Sequence, residues 1–286
     1  MGVLHVRVVT EIIGKSDSGI DLNVTVPTIT VSSEKFKTLR HSVIESAANV
    51  GCNVLLIAVE DSLPSFRFSK SVNRGFAEFD ADYYVNVNDD ILLQKTSLSN
   101  SLHSLQKDDE IGILAGIHYN PDGTIQDVGY GVALSATAKY YAMMVLKYHA
   151  PFDAFRKIKN YKERGISKFV LFYDYKSVKE AKEGLCGGPY QMINKSALKL
   201  TGGYDENYVM GLEDTDFCLR VIQNGLKARI DRRVGMTHER GASGINYWKS
   251  WSEDGTRLLY SKFSANDILR LVRENGQLIS NSIDFE

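Results

Sequence analysis

The pattern that most constrains this chain is an alternation, starting at residue 23, of short apolar runs with segments whose apolar residues recur at helical spacing. Val24–Val31 is rich in β-branched residues and reads as a strand. Ser32 and Ser33 supply helix-capping side chains ahead of Phe36, Leu39, Val43, Ile44 and Ala47, an apolar face that stops at Gly51. Val54–Val59 is a continuous apolar run of strand length, as expected of a parallel strand covered on both faces, and it breaks at Glu60-Asp61-Ser62. A helix over Ser69–Phe79 leads to a strand at Tyr83–Val87 that ends in Asn88-Asp89-Asp90. Strand, helix, strand, helix, strand is the start of a right-handed, doubly wound sheet flanked by helices. In such sheets ligands bind beyond the carboxyl ends of the strands, and both polar clusters fall there.

The rest of the chain is organised around that unit. Residues 1–22 read as a Gly- and Ser-punctuated lead-in with one apolar stretch, Val3–Ile13, and residues 23–250 as the main domain. A strand is expected over Ala228–Val234. A C-terminal tail, 251–286, holds an amphipathic helix over about Asn266–Asn275, with Gly276 in the usual capping position. Between Lys139 and Lys182 there are eleven Lys and Arg against four Asp and Glu, interleaved with ten Tyr and Phe. A helical surface packed on the main sheet accounts for most of that segment. An acceptor platform or a patch on an anionic membrane surface is the alternative, since basic residues add about 1 kcal/mol each at such a surface.

Composition narrows the function. With 43% hydrophobic and 24% charged residues the chain is globular, and a formal net charge of -1 gives no whole-molecule attraction to nucleic acid. Cys52, Cys186 and Cys218 are odd in number and lack metal-ligand spacing, so buried reduced thiols are expected. No basic segment leads into an apolar run at the N-terminus, and no apolar stretch approaches the ~20 residues that span a bilayer. A cytoplasmic protein is expected, with peripheral contact on the inner face of a membrane left open.

Three groups of residues carry chemistry, each with a plainer alternative. Asn88-Asp89-Asp90 closes a strand, so its carboxylates project into the crevice, where an oxygen-rich site suits Mg2+ or Mn2+ on a diphosphate; a polar turn also explains the triplet. Glu213-Asp214 opens a helix, where acidic residues cap free N–H groups and complement the dipole, but a carboxylate there also serves as a general base. His238 follows the expected strand at 228–234. It reads as a hydrogen-bonded structural histidine or, beside carboxylates, as a ligand to a borderline metal.

The order and spacing of these pieces resemble the family-2 glycosyltransferases of GT-A fold, and among them the rhamnosyltransferase-like branch. Val59-Glu60-Asp61-Ser62 resembles the family's nucleotide-contacting strand end, and Asn73-Arg74-Gly75-Phe76 its Asn-x-Gly segment. Val87-Asn88-Asp89-Asp90 is similar to its form of the DXD motif. Gly202-Gly203-Tyr204-Asp205-Glu206, followed by Gly211-Leu212-Glu213-Asp214-Thr215-Asp216-Phe217-Cys218-Leu219-Arg220, resembles its longest and most specific run. His238-Glu239-Arg240-Gly241-Ala242-Ser243 is similar to the branch's C-terminal element. The likeness covers about residues 24–245.

That resemblance implies an inverting, metal-dependent hexosyl- or deoxyhexosyltransferase. Asp214 would be the catalytic base, and Asp90 and His238 would hold Mn2+ or Mg2+. Glu60 or Asp61 would contact the base, Asp89 the ribose or the metal shell, and Ser32, Asn73 and Glu213 would complete the nucleotide-sugar site. The donor would be a UDP-, dTDP- or GDP-sugar and the acceptor a glycan, glycolipid or protein. Asn88 stands where the strict motif has Asp, and Glu60 where Asp is usual. The Gln-x-x-Arg-Trp element of processive synthases is absent, which implies single additions. Two rivals share the scaffold. A sugar-1-phosphate nucleotidyltransferase would open with a glycine-rich triphosphate loop, and Val26–Ser33 has no glycine. A non-catalytic binding protein would be expected to lack Asp214 or Asp90, and both are present.

Overall fold

The computed structural model describes residues 6–61, 66–136, 168–174, 183–209, 211–239, 248–277 and 279–280. Twelve strands and seven helices are assigned among them. The core is a mixed sheet. Strands β1 (Arg7–Gly14), β2 (Asp21–Thr28), β3 (Asn53–Glu60), β4 (Tyr83–Val87), β5 (Ile91–Leu93), β6 (Ile111–Tyr119), β7 (Ile125–Asp127), β10 (Tyr190–Asn194) and β11 (Lys227–His238) run in the order β1-β3-β2-β4-β10-β6-β11-β5, with β7 added on β6. The β2–β3, β2–β4 and β6–β11 pairs are parallel, and β1, β5, β7 and β10 are antiparallel to their neighbours. A second sheet of three strands joins β8 (Tyr130–Ala136), β9 (Lys168–Asp174) and β12 (Ile279–Ser280).

Helices cover both faces. Helix α1 (Glu34–Ala47) and α3 (Ser97–Lys107) bury Phe36, Leu39, Val43, Leu98 and Leu102 against one side of the sheet. Helices α2 (Phe68–Ala77), α4 (Lys195–Thr201), α5 (Glu213–Gln223), α6 (Trp248–Lys262) and α7 (Ala265–Glu274) form the other layer, around Phe76, Phe217, Val221, Leu259 and Leu271. Each fully buried side chain of this size stabilises the fold by about 1.5–3 kcal/mol relative to exposure. Between the two layers every residue of β2 from Leu22 to Thr28 is buried. Its polar members are satisfied inside: Asn23 donates to the Gly75 and Phe79 carbonyls, and Thr25 donates to Asn23. A Cβ on Gly75 would lie 2.3 Å from the Thr25 side chain, so the bare backbone there lets α2 lie directly on β2.

Several boundaries differ from the sequence reading, for identifiable reasons. The first central strand is Asp21–Thr28 rather than Val24–Val31, because Thr30 to Ser33 are used in the turn and cap that start α1: Ser33 accepts from Phe36 N–H. The stretch read as a lead-in contributes β1, laid antiparallel on β3. In the basic-aromatic segment, Lys168–Asp174 is a strand paired with β8, which corrects the helical reading there; residues 139–167 and 175–182 lie outside the described residues. The C-terminal helix begins one residue early, at Ala265, where Ser264 and Asp267 form a reciprocal cap. Among the described residues no helix is long and apolar enough to cross a membrane.

Candidate active site

Asn88-Asp89-Asp90 leaves the carboxyl end of β4, and each residue does something different. Asp89 is held by the Thr28 hydroxyl, which donates to it at 2.7 Å from the end of β2. Burial pushes its carboxyl above the ordinary aspartate range, against the opposing pull of that hydrogen bond and of Lys35. Asp90 presents a buried Oδ1 that accepts no hydrogen bond and lies 3.6 Å from His238 Nε2. Asn88 Oδ1 is likewise buried and unpartnered.

The orientation of His238 follows from its neighbour. Gln126 Nε2 donates to the His238 carbonyl at 3.0 Å and to Asn120, so Gln126 Oε1 is the acceptor facing His238 Nδ1 at 2.7 Å. Nδ1 is therefore the nitrogen that donates to Gln126, and Nε2 is the one that faces Asp90. A carboxylate oxygen and an imidazole nitrogen facing one another fit a divalent cation when the imidazole is neutral. Among the described residues no group of three or more His, Cys, Asp or Glu converges on one point. The described residues thus offer Asp90 and His238 as two facing donors.

Glu213 and Asp214 open α5. The backbone is strained just before them: Leu212, at φ 70°, is the one non-glycine residue with positive φ among the described residues. Asp214 is tightly held. Its Oδ2 accepts Gly188 N–H at 2.8 Å, its Oδ1 accepts Thr215 N–H at 2.7 Å, and Tyr130 adds a side-chain hydrogen bond. Burial nevertheless raises its proton affinity above that of an ordinary aspartate. Glu213 Oε2 is buried without a partner, and burial followed by the charge of Asp214 pushes its pKa up to about 8. The rest of the motif turns inward. Asp216 binds Arg220 at 2.7 Å, Lys262 at 2.7 Å and the Tyr208 hydroxyl at 3.2 Å, tying α5 to α6.

Gly188 links the two carboxylate groups. Its N–H serves Asp214, its carbonyl accepts from Asn86 at 2.7 Å, and the next carbonyl, of Pro189, accepts Asn88 N–H. A Cβ at Gly188 would sit 3.2 Å from Asp214 Oδ2. The strand end and the helix start are therefore held beside one another.

The remaining expected residues divide into two places. Ser32 is exposed and bonds the Thr30 hydroxyl, the Thr30 carbonyl accepts from Thr28, and Glu60 accepts Val31 N–H at 3.4 Å. Ser32, Glu60 and Asp89 thus surround the end of β2. Asp61 and Asn73 border a separate cleft of about 520 Å³, shared with Lys70, Arg74 and Glu206. Within it the Asn73 amide braces the glycine loop, donating to the Tyr204 carbonyl and Glu206 and accepting Tyr204 N–H. Arg240 to Ser243 lie outside the described residues.

Four contributors escaped the sequence reading: Gln126, Tyr130, Gly188 and His118. His118 is 1% exposed, with Nδ1 on Asp127 at 2.7 Å, Nε2 unpartnered, and its ring edge-on to His238. A histidine directly after the apolar run Ile111–Ile117, within the same strand, was the available signal.

No known family profile matches the chain. No characterised protein matches it by sequence. Solved structures do. The mannosyltransferase PcManGT of Pyrobaculum calidifontis, in complex with GDP-Man and Mn2+, is 12% identical over 91% of this chain and 72% of its own, with a TM-score of 0.52. The catalytic domain of Drosophila β1,4-galactosyltransferase 7 with xylobiose is 15% identical over 79% and 74%, at 0.46. Residues 1–349 of S. aureus TarS are 12% identical over 90% and 70%, at 0.49. The fold is thus the mixed α/β fold of the mannosyltransferase, a curled sheet flanked by helices, as the GT-A expectation required.

Proposed function

We propose that this chain is a metal-dependent, inverting glycosyltransferase that moves a sugar from a nucleoside-diphosphate sugar to an acceptor hydroxyl. The observation that carries this reading is the pairing, through Gly188, of an ion-competent strand end at Asp90 and His238 with a buried, oriented carboxylate at Asp214. The sequence resemblance to family-2 enzymes supports the same assignment.

Each residue then has a task. The Asp90 carboxylate and the His238 imidazole hold Mn2+ or Mg2+. A bound divalent ion supplies positive charge where the leaving diphosphate becomes more negative. Asp89, Ser32 and Glu60 take the nucleotide side, with Asp61 and Asn73 at the separate cleft and Glu213 on the sugar side. Asp214 takes the proton of the acceptor hydroxyl as its oxygen bonds to the anomeric carbon. The bond from that carbon to the diphosphate breaks on the opposite face, so the configuration inverts. Two N–H donors fix the direction of the Asp214 carboxylate, and its burial raises its basicity, both of which suit a general base.

The mannosyltransferase's GDP-Man and Mn2+ make a GDP-sugar with Mn2+ the first pair to test, followed by UDP- and dTDP-sugars. Release of nucleoside diphosphate is the readout, and NMR of the product gives its anomeric configuration. The candidate acceptors are a glycan, a glycolipid and a protein hydroxyl. Absence of both binding and diphosphate release with every donor would remove the proposal. A retained configuration would remove the single displacement.

A further inference from the structure

The outermost strand of the main sheet has one side unused. β1 bonds to β3 along one edge, and among the described residues nothing pairs with the other. Long strand edges with open main-chain donors and acceptors are templates for pairing with a further strand. Three large apolar side chains are exposed among the described residues. Two of them, Val6 (45%) and Ile12 (63%), lie on or beside β1, and the third is Leu200 (54%).

The two faces of β1 are distinct. Arg7, Val9 and Glu11 alternate onto the α1 face, where Glu11 accepts from Arg40 Nε at 2.7 Å and Val9 packs against the cluster of Phe36, Leu39 and Val43. Val6 and Ile12 lie on the opposite face: Val6 borders the cleft beside Arg74, and Ile12 a groove beside Phe79.

We infer that β1 pairs antiparallel with β1 of a second copy of this chain, about a two-fold axis through Val9 perpendicular to the sheet. Each residue then faces the one equally far on the other side of Val9. Arg7 lies opposite the partner's Glu11, and Glu11 opposite the partner's Arg7. Val9 meets its own equivalent between those ion pairs. On the other face Val6 lies opposite the partner's Ile12 and Ile12 opposite the partner's Val6, so both exposed apolar side chains of this region are covered twice over. The register is selective. Centring the axis on Val8 sets Arg7 against Val9, and centring it on Thr10 sets Arg7 against Ile13. The regular pairing of β1 with β3 also runs from Arg7 to Ile12 and shifts beyond it, so the strand is regular over the length that self-pairing uses. Opposite charges and matched apolar pairs directly across an antiparallel ladder are what stabilise one.

Sedimentation and light scattering of the full chain over a wide concentration range test this. A concentration-dependent dimer is expected. Arg7→Glu places like charges opposite each other twice and raises the dissociation constant about tenfold or more. Ile12→Asp acts in the same direction, while Leu200→Asp leaves the dimer unchanged. Glu11→Arg alone also dissociates it. Mixing the Arg7→Glu chain with the Glu11→Arg chain restores both ion pairs, and a mixed dimer returns. A local folding defect gives no such rescue, and circular dichroism checks that each variant is folded. A wild-type chain that stays monomeric at every concentration overturns the pairing. A dimer indifferent to Arg7→Glu and Ile12→Asp, one broken by Leu200→Asp, or a mixture that fails to reassociate does so equally.

Discussion

Two carboxylate pairs are joined through the Gly188 backbone, one leaving a strand and one opening a helix. In each, one member is tied down while its neighbour keeps an oxygen without a partner. Asp89 is held by Thr28 and Asp214 by Gly188 and Thr215. Asp90 Oδ1 and Glu213 Oε2 are the unpartnered atoms. A buried polar atom left unpaired costs about 1–3 kcal/mol, so both are places where a ligand restores what folding left unmade. The surroundings differ. Asp90 faces His238 Nε2, and a cation held between them would satisfy both. Glu213 sits beside a second carboxylate in a dry setting, which raises its pKa to about 8 and so favours a proton. Under the proposed function, like local construction serves a metal ion in one pair and proton chemistry in the other.

The largest effect expected from this contrast concerns Asp214. Asp214→Asn keeps the shape and loses the basicity, so turnover should fall about 10²–10⁴-fold while donor binding, measured calorimetrically, persists. A near-normal rate would make Asp214 a helix-start brace. If Glu213→Gln proves the inactive variant instead, the roles within the pair are reversed.

The helix-start pair also relies on the inward half of its motif. Asp216→Ala strands Arg220, while Lys262 keeps Asp205, and should lower the unfolding free energy by about 3 kcal/mol in denaturant titration. Full stability would mean that Leu212 and Gly188 suffice to hold α5 in place.

The strand-end pair is tested by metal alone. Mn2+ binding followed by electron paramagnetic resonance should be lost in Asp90→Ala and weakened about 10–100-fold in His238→Ala. Unchanged binding in the histidine variant would leave His238 as a partner of Gln126 and nothing more.

The last test is a pH slope. Glu213 has its folded pKa raised from 4.5 to about 8, so the folded state holds a proton that the unfolded state has released. The resulting stabilisation is complete below about pH 4.5 and declines as pH rises toward 8, and Asp214, also raised, adds to the same trend. Glu213→Gln should flatten most of that decline in unfolding curves taken across the window. An unaltered slope would show that the unpartnered oxygen is not where the proton sits.

Much of this was legible because the signals were local. The run Val54–Val59 is apolar on both sides, and β3 proved to be sandwiched between helices and parallel to β2. Ser33 was a recognisable cap because capping needs only a side-chain oxygen three residues before a free N–H. Residues 7–14 were missed as a strand because an edge strand is half exposed and lacks the clean alternation of a one-sided sheet. The role of Asn73 was also hidden. Its side chain reaches the glycine loop 131 residues away, and no spacing rule connects the two.

By itself, the sequence determined the element types of the doubly wound core and the strand-end and helix-start positions of the acidic motifs, while its expected strand at 228–234 stopped short of His238, which closes β11. These depend on periodicity, capping and turn chemistry, which act within a few residues. The tertiary structure decided which carboxylate of each pair is anchored, which nitrogen of His238 faces Asp90, and that Gly188 joins Asp214 to Asn86. Each of those depends on a hydrogen-bond donor or acceptor arriving from a distant strand, and on burial strong enough to make an unpaired oxygen matter.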